Sequence, residues 1–160
     1  MYLVYPNTLI INYSLSMLIL LALAGIIVTL YAIYVERQTN KIGFKAMCDI
    51  NDYASCSRVL KSPYAKMTKM IFNLKDDHVL NVPNTYFGLL FYIAVIIYNF
   101  VDVSYQEVLL LVASGISLCA CFGLAYILYF KLKDFCVVCV ATYFINMGIF
   151  YYAYCEYLNA

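Results

Sequence analysis

Four long stretches without a charged side chain or a histidine constrain the fold of this chain more than any other feature. They run from about residue 9 to 35, 85 to 101, 108 to 130 and 135 to 155. Each is close to or above the roughly 17–25 residues that a helix needs to cross about 30 Å of hydrocarbon. Lipid offers the backbone no hydrogen-bond partners, so helices are the expected spanning form. The pattern predicts an all-α integral membrane protein, a four-transmembrane-helix bundle whose second span is the shortest.

The overall composition supports this prediction. Of the 160 residues, 66% are hydrophobic and only 12% are charged, whereas a soluble domain has about 45–50% apolar and about 25% charged residues. This balance excludes a disordered tail and an ordinary cytosolic enzyme, and it favours the lipid bilayer as a partner. With a formal net charge of +1, no nucleic acid partner is expected. Residues 1–160 are predicted to form a single membrane domain.

The segment from residue 36 to 84 is the only large polar region. Four spans place both termini on one side of the membrane, so this segment and the short turn at 131–134 share the other side. A connection of this length is uncommon unless it has a function of its own. We therefore expect the loop to contribute to the functional site.

Seven cysteines are distributed unevenly between loop and spans. Two lie in the long loop, and two form a C-V-V-C motif where the fourth span begins, on the same side of the membrane. The remaining three lie within spans and are interpreted as small apolar filler, since a free cysteine packs like a small hydrophobe. The loop pair is Cys48 and Cys56, the motif is Cys136 and Cys139, and the filler residues are Cys119, Cys121 and Cys155.

A Cys-x-x-Cys pair can be a redox dithiol or half of a zinc site. Asp134 is expected to be the N-cap of the fourth helix, because aspartate accepts hydrogen bonds from the first free amides. Cys136 would then lie in the first turn, where the helix dipole lowers a thiol pKa. The loop pair could also be a purely structural staple, and a zinc site made by all four cysteines is the less favoured alternative. No metal site is predicted.

Helical spacing places Cys136, Cys139, Tyr143 and Asn146 on one face of the fourth span. Cys139 lies about one turn deeper than Cys136, at about 1.5 Å per residue. The outer cysteine can meet aqueous partners and the inner one can meet a molecule dissolved in the bilayer. This geometry is typical of a relay between a water-side dithiol and a lipid-soluble electron carrier.

Three separated segments, in order, resemble the vitamin K epoxide reductase family, and the animal-type members more than the bacterial ones. The segment C-D-I-N-D-Y-A-S-C-S-R-V (48–59) resembles the loop-cysteine region, including its spacing of eight residues. The segment L-N-V-P-N-T-Y-F-G (80–88) resembles the entrance to the second helix. The segment 125–143 carries the C-x-x-C-x-x-x-Y signature.

The resemblance implies a four-helix bundle around a quinone pocket, with a large cap loop between helices 1 and 2. It implies thiol-dependent reduction of vitamin K 2,3-epoxide to the quinone, and of the quinone to the hydroquinone. Vitamin K is then a substrate, and no tightly bound cofactor is expected. Thioredoxin-like lumenal oxidoreductases are the implied reductants, and 4-hydroxycoumarin anticoagulants the implied inhibitors.

The resemblance also implies roles for individual residues. Cys136 and Cys139 match the active-site dithiol, and Cys48 and Cys56 match the pair that relays electrons to it. The implied disulfides are Cys136–Cys139 and Cys48–Cys56, with Cys56–Cys136 as the relay intermediate. Asn84 and Tyr143 match donors to the substrate oxygens, and Phe87 matches an apolar pocket position.

Other functions use the same residues. The dithiol could run in the opposite direction and use a quinone to generate disulfide bonds in partner proteins. A non-catalytic membrane scaffold with an inert or metal-bound cysteine pair is a third hypothesis, which the intact set of four cysteines, Asn84 and Tyr143 argues against.

The orientation of the chain in the membrane has two conflicting indications. All ten basic residues lie on the side of the long loop, which the positive-inside rule assigns to the cytoplasm. Chemistry coupled to disulfides favours the oxidising lumen instead. We expect the endoplasmic reticulum membrane, with the cysteine face lumenal.

Overall fold

The structure, a computed structural model, describes residues 6–39, 41, 43–51, 53–66, 82–101 and 105–159, with side chains of the first helix from residue 16. Part of the predicted loop, 67–81, therefore lies outside the described residues. Within them the chain is helical, and the only β-type pairing is an isolated bridge between Asn51 and Ala54. The α-helices are α1 (Pro6–Gln38), α2 (Cys56–Lys61), α3 (Asn84–Tyr98), α4 (Gln106–Tyr126) and α5 (Val137–Asn159).

Three segments are long and apolar enough to cross a membrane: Ser16–Gln38, Gln106–Leu132 and Val137–Asn159. Helix α3 has 15 residues, about 22 Å at 1.5 Å per residue, which is short of the ~30 Å hydrocarbon core. It ends because Asn99 turns back on it: its side-chain amide donates to the Val95 carbonyl at 2.6 Å. The sequence predicted four spans, and the described chain has three helices of spanning length and one shorter apolar helix.

The helices pack unevenly around α5. Helix α5 contacts both α1 and α4, and α1 also contacts α3, whereas α3 and α4 touch each other much less. Large apolar side chains such as Ile27, Leu109 and Phe122 cover the outer faces, which suits contact with lipid tails. The sparse contact between α3 and α4 leaves space for an internal cavity.

A π-helical segment, Ile127–Leu132, extends α4 on the loop side. Its first two residues, Ile127 and Leu128, are buried and line the cavity. The segment ends at Lys133, whose left-handed backbone (φ 52°) turns the chain towards α5. Such π segments occur frequently at functional sites. This one ends only a few residues before the C-V-V-C motif.

Candidate active site

The four cysteines singled out from the sequence come together in space. The sulfur atoms of Cys136 and Cys139 lie 2.8 Å apart, and the Cys56 sulfur lies 3.5 Å from that of Cys136. The Cys56 thiol also approaches the Cys48 carbonyl oxygen at 3.8 Å. All four are free thiols. Cys56 and Cys136 are completely buried, while Cys139 is partly exposed.

A single carboxylate organises the loop around Cys48 and Cys56. Asp49 accepts hydrogen bonds from the Ala46 amide, the Ser55 hydroxyl, and both the amide and the hydroxyl of Ser57, at 2.6–3.0 Å. Burial alone would raise the pKa of Asp49, but the hydrogen bonds from Ser57, Ala46 and Ser55 outweigh it and lower this pKa. The ionised carboxylate therefore closes the segment and holds the two cysteines side by side.

Helix α2 begins at Cys56 because Ser55 is its N-cap, with the Ser55 hydroxyl oxygen accepting from the Arg58 amide at 3.3 Å. A serine in this position satisfies one of the free amides of the first turn. The cap fixes the direction in which α2 leaves the loop. Cys56 is thereby placed at the end of the helix that faces the C-V-V-C motif.

Two contacts join the loop to the approach to α5. The Arg58 guanidinium pairs with the Asp134 carboxylate at 2.9 Å, and the Phe135 amide donates to the Tyr53 carbonyl at 2.8 Å. The Asp134 side chain is 3% exposed, so this carboxylate depends on its partner. These contacts keep Cys56 beside Cys136.

The prediction that Asp134 caps the fourth helix was wrong. Asp134 is paired with Arg58 instead, and the Cys136 sulfur itself accepts from the Cys139 amide at 3.4 Å, in the position of an N-cap group. One of the first free amides of α5, that of Cys139, is therefore bound by the outer cysteine of the motif.

The expected lowering of the Cys136 pKa was also wrong for the reduced state. The hydrogen bond from the Cys139 thiol, together with burial, raises the pKa of Cys136. A hydrogen bond with Cys136, and then burial, raise the pKa of Cys56. Burial, then the contact with Cys56, raise the pKa of Cys48 to about 12. Neutral thiols packed against one another in an apolar setting hold their protons more tightly than the helix N-terminus can release them.

Beside the thiols lies a cavity of about 420 Å³. Its wall is mostly apolar, with a few polar side chains, as is usual for sites that bind small organic molecules. All five described α-helices contribute residues to its wall. The residues predicted from the sequence that line it are Asn84, Phe87, Cys139 and Tyr143. The cavity thus brings the inner cysteine together with all three predicted substrate-binding residues.

Contacts between α1 and the start of α3 hold the part of the cavity wall around Asn84. The Thr85 hydroxyl donates to the Glu36 carboxylate at 3.0 Å, and Arg37 donates to the Tyr86 hydroxyl at 3.0 Å. The Asn84 side-chain amide donates to the Tyr64 carbonyl at 3.2 Å. Asn84 is therefore oriented at the first turn of α3, next to the short 3₁₀ helix Pro63–Ala65.

Sequence reasoning missed a polar cluster farther inside the cavity. Asn146 is buried and donates to the Tyr92 hydroxyl and the Cys121 sulfur, both at 3.2 Å. Ser117 donates to the Asn146 side-chain oxygen at 3.1 Å. Cys121, interpreted as filler, is part of this cavity wall, whereas Cys119 is exposed. The available signal was the asparagine in the middle of an apolar helix, since polar groups there need partners.

Over the described ranges, no group of three or more His, Cys, Asp or Glu side chains is arranged to hold a metal ion. Three of the four cysteines form a line of sulfur contacts, Cys56 to Cys136 to Cys139, that ends at the cavity.

Comparison with known proteins identifies the family of the chain. The family model described as "Vitamin K epoxide reductase family" matches residues 16–154. The chain is 37% identical over 131 residues to mouse (Mus musculus) vitamin K epoxide reductase complex subunit 1, covering 81% of each chain. It is 36% identical over 132 residues to the rat (Rattus norvegicus) protein of the same name, again covering 81% of each. The chain belongs to the vitamin K epoxide reductase family.

Proposed function

We propose that this protein reduces vitamin K 2,3-epoxide to vitamin K quinone, and the quinone to the hydroquinone, with Cys136 and Cys139 as the dithiol. The observation that carries the proposal is the continuous line of sulfur atoms from Cys56 through Cys136 to Cys139, which ends on the wall of a mostly apolar cavity. The names of the mouse and rat relatives support the same activity.

In each step the dithiol supplies two electrons and two protons. The Cys139 sulfur, as thiolate, attacks the ring of the epoxide, and the Cys136 sulfur then displaces it as the Cys136–Cys139 disulfide forms. The epoxide oxygen leaves as water and the quinone remains. A second dithiol equivalent reduces the quinone to the hydroquinone in the same way. No tightly bound cofactor is needed, because the cysteines themselves change oxidation state.

The proposed anchors for the substrate are Asn84, Tyr143 and Phe87. Reduction places negative charge on oxygen, and N–H or O–H donors held in an apolar site stabilise that charge strongly. Asn84 and Tyr143 supply such donors, and Phe87 supplies an apolar surface for the ring. The volume of the cavity and its mostly apolar wall support a fused-ring quinone as the occupant.

The loop pair is proposed to regenerate the dithiol. The Cys56 thiolate attacks the Cys136 sulfur of the disulfide, and Cys48 then resolves the Cys56–Cys136 bond to give Cys48–Cys56. A thioredoxin-like lumenal oxidoreductase reduces that last disulfide. Each step is thiol–disulfide exchange, which requires a thiolate and access to the attacked sulfur. The contact between Cys56 and Cys136 supports this order.

The proposed setting is the endoplasmic reticulum membrane, with residues 1–160 as one domain. Helix α3 would complete a bundle of four membrane helices, with the loop 36–84 as a cap on the lumenal face. The oxidising lumen suits a relay through disulfides. We also propose that 4-hydroxycoumarins bind the same cavity, since they share the fused-ring shape of the quinone.

The test is anaerobic turnover of vitamin K epoxide by the purified protein in detergent with dithiothreitol. The Cys139→Ala variant should be inactive, and Cys119→Ala, which alters an exposed cysteine outside the cavity wall, should match the wild type. Loss of epoxide turnover with quinone reduction intact would favour quinone-dependent disulfide formation. A folded wild-type protein inactive on both substrates would overturn the enzymatic proposal.

A further inference from the structure

The hydrogen bonds of the polar cluster in the cavity wall run in one order, from Ser117 through Asn146 to Tyr92. The Ser117 hydroxyl donates to the side-chain oxygen of Asn146 at 3.1 Å. The side-chain amide of Asn146 in turn donates to the Tyr92 hydroxyl at 3.2 Å. The same amide group also reaches the Cys121 sulfur and the Thr142 carbonyl. Asn146 is 6% exposed, so its hydrogen bonds are made where water does not compete for them.

Tyr92 stands at the end of this chain of donors. Its hydroxyl oxygen accepts from Asn146, and across the described part of the chain Asn146 is its one hydrogen-bond partner. The phenolic hydrogen is therefore left for another acceptor. Successive hydrogen bonds polarise one another, so accepting from Asn146 makes the Tyr92 hydroxyl a stronger donor.

The Tyr92 ring is held firmly in place. The side chain is 1% exposed, and the ring lies so close to Gly25 of α1 that a Cβ at that position would meet it at 2.6 Å. Tyr92, Asn146 and Ser117 all line the cavity. A donor that cannot move away and has no acceptor is costly in an apolar site. A ligand oxygen in the cavity would remove that cost.

We propose that the Tyr92 hydroxyl donates to the ring ketone oxygen of the bound quinone or epoxide that lies farther from Asn84. The inference rests on the proposed function and adds a specificity-determining residue to it. Asn84 and Tyr92 are eight positions apart on α3, about 12 Å along the helix. Side chains that start this far apart can approach a bound ring from two ends, which suits a ring with ketone oxygens on opposite sides. The epoxide has three oxygens, and Tyr92 adds a third donor to Asn84 and Tyr143.

The experiment measures binding without turnover, in a Cys139→Ala background, by isothermal titration in detergent. The two probes are 2-methyl-1,4-naphthoquinone, with two ketones, and 1-tetralone, with one. Tyr92→Phe should weaken binding of the diketone about fivefold to tenfold, the range expected for one hydrogen bond. It should leave binding of the monoketone nearly unchanged, so that the preference for the diketone shrinks.

Two further variants separate this role from a structural one. Tyr98→Phe removes a hydroxyl from the same helix that donates to Glu156 at 3.0 Å and does not line the cavity, and it should keep the preference for the diketone. Ser117→Ala removes the first donor of the chain and should reduce the preference less than Tyr92→Phe does. An unchanged preference in folded Tyr92→Phe would overturn the inference, and so would equal weakening of both probes. Epoxide turnover by the wild type, measured separately, decides the proposed function.

Discussion

The sulfur atoms of Cys56 and Cys136 lie 3.5 Å apart although 80 positions separate them in the chain. One belongs to the first turn of α2 and the other precedes α5, so this contact joins the loop to the membrane helices. The Arg58–Asp134 pair at 2.9 Å fixes the same two segments.

Removal of Cys139 should trap the contact as a covalent bond. In Cys139→Ala the Cys136 thiol loses its neighbour at 2.8 Å and keeps Cys56 at 3.5 Å. Mild oxidation should then give a Cys56–Cys136 disulfide, detectable by mass spectrometry of non-reduced peptides. The Cys119→Ala control should give Cys136–Cys139 instead. A Cys48–Cys56 bond as the sole product in the Cys139 variant would count against an accessible relay.

Replacement of Cys48 by Ala should lower turnover with a protein reductant much more than turnover with a small dithiol. Electrons from a protein reductant are expected to enter through Cys48, so turnover with a thioredoxin-like protein should fall about tenfold or more, as expected when an exchange partner is lost. Turnover with dithiothreitol should fall much less, because a small dithiol can reach the Cys136–Cys139 disulfide from the cavity. Steady-state rates with each reductant provide the measurement, and equal losses with both would contradict the relay.

The reactivity of Cys48 should keep rising with pH well beyond the range of an ordinary thiol. Its pKa is raised from 9.0 to about 12, and only the thiolate reacts with alkylating reagents. In the fully reduced protein, labelling of Cys48 by iodoacetamide should increase about tenfold per pH unit from about pH 7 to about pH 10. Peptide mass spectrometry gives the rate, with a short cysteine-containing peptide in the same solution as the reference. A plateau near pH 9 would show that the thiol is not perturbed.

Because the Cys48 pKa is raised in the folded protein, the protein should become less stable at alkaline pH. Below about pH 9 the thiol is protonated in both the folded and the unfolded chain, so the free energy of unfolding does not change with pH through this group. Above it, the unfolded chain loses its proton first, so the free energy of unfolding should decrease until the folded thiol ionises. Thermal unfolding of the reduced protein at increasing pH should show a steeper decrease than Cys48→Ala does, because Cys56 and Cys136, whose pKa values are also raised, remain in the variant.

Gly25→Ala should destabilise the protein by about 1–3 kcal/mol, the usual cost of overpacking. The added methyl group would meet the Tyr92 ring at 2.6 Å, and that ring is fully buried. Gly115→Ala is the matched control, since its methyl group would meet Phe150 at an ordinary 3.6 Å. Thermal unfolding in detergent measures both, and equal stability of the two variants would show that α1 can move away from α3.

The sequence predicted the helices and the cavity-lining residues best where the signal was local. Long uncharged stretches gave the approximate bounds of α1, α4 and α5, because burial in lipid requires an unbroken apolar run. The end of α3 at Tyr98 was missed, because it depends on one side-chain hydrogen bond from Asn99. Asn84 and Tyr143, which belong to the family's motifs, line the cavity, and their role as donors to the substrate stays a prediction.

The features that could not be predicted from the sequence are contacts between elements far apart in the chain. Asp134 has the position and chemistry of an N-cap, and only the fold shows that Arg58, 76 positions away, is its partner. Helical spacing placed Asn146 on the face of the cysteines, but not Tyr92 and Ser117 beside it, since they come from two other helices. The four thiols were predicted as a group, whereas the raised pKa values of Cys48, Cys56 and Cys136 follow from contacts that spacing cannot reveal.

The hydrogen bonds around Asp49 also bear on the energetics of the loop cysteines. A disulfide normally stabilises a protein by reducing the conformational entropy of the chain between its two ends. Here the carboxylate already joins Ala46, Ser55 and Ser57 while Cys48 and Cys56 are reduced. These hydrogen bonds hold the folded loop without a Cys48–Cys56 bond, so breaking that bond would not release the loop. Electrons could enter and leave this pair repeatedly with the surrounding backbone in the same conformation.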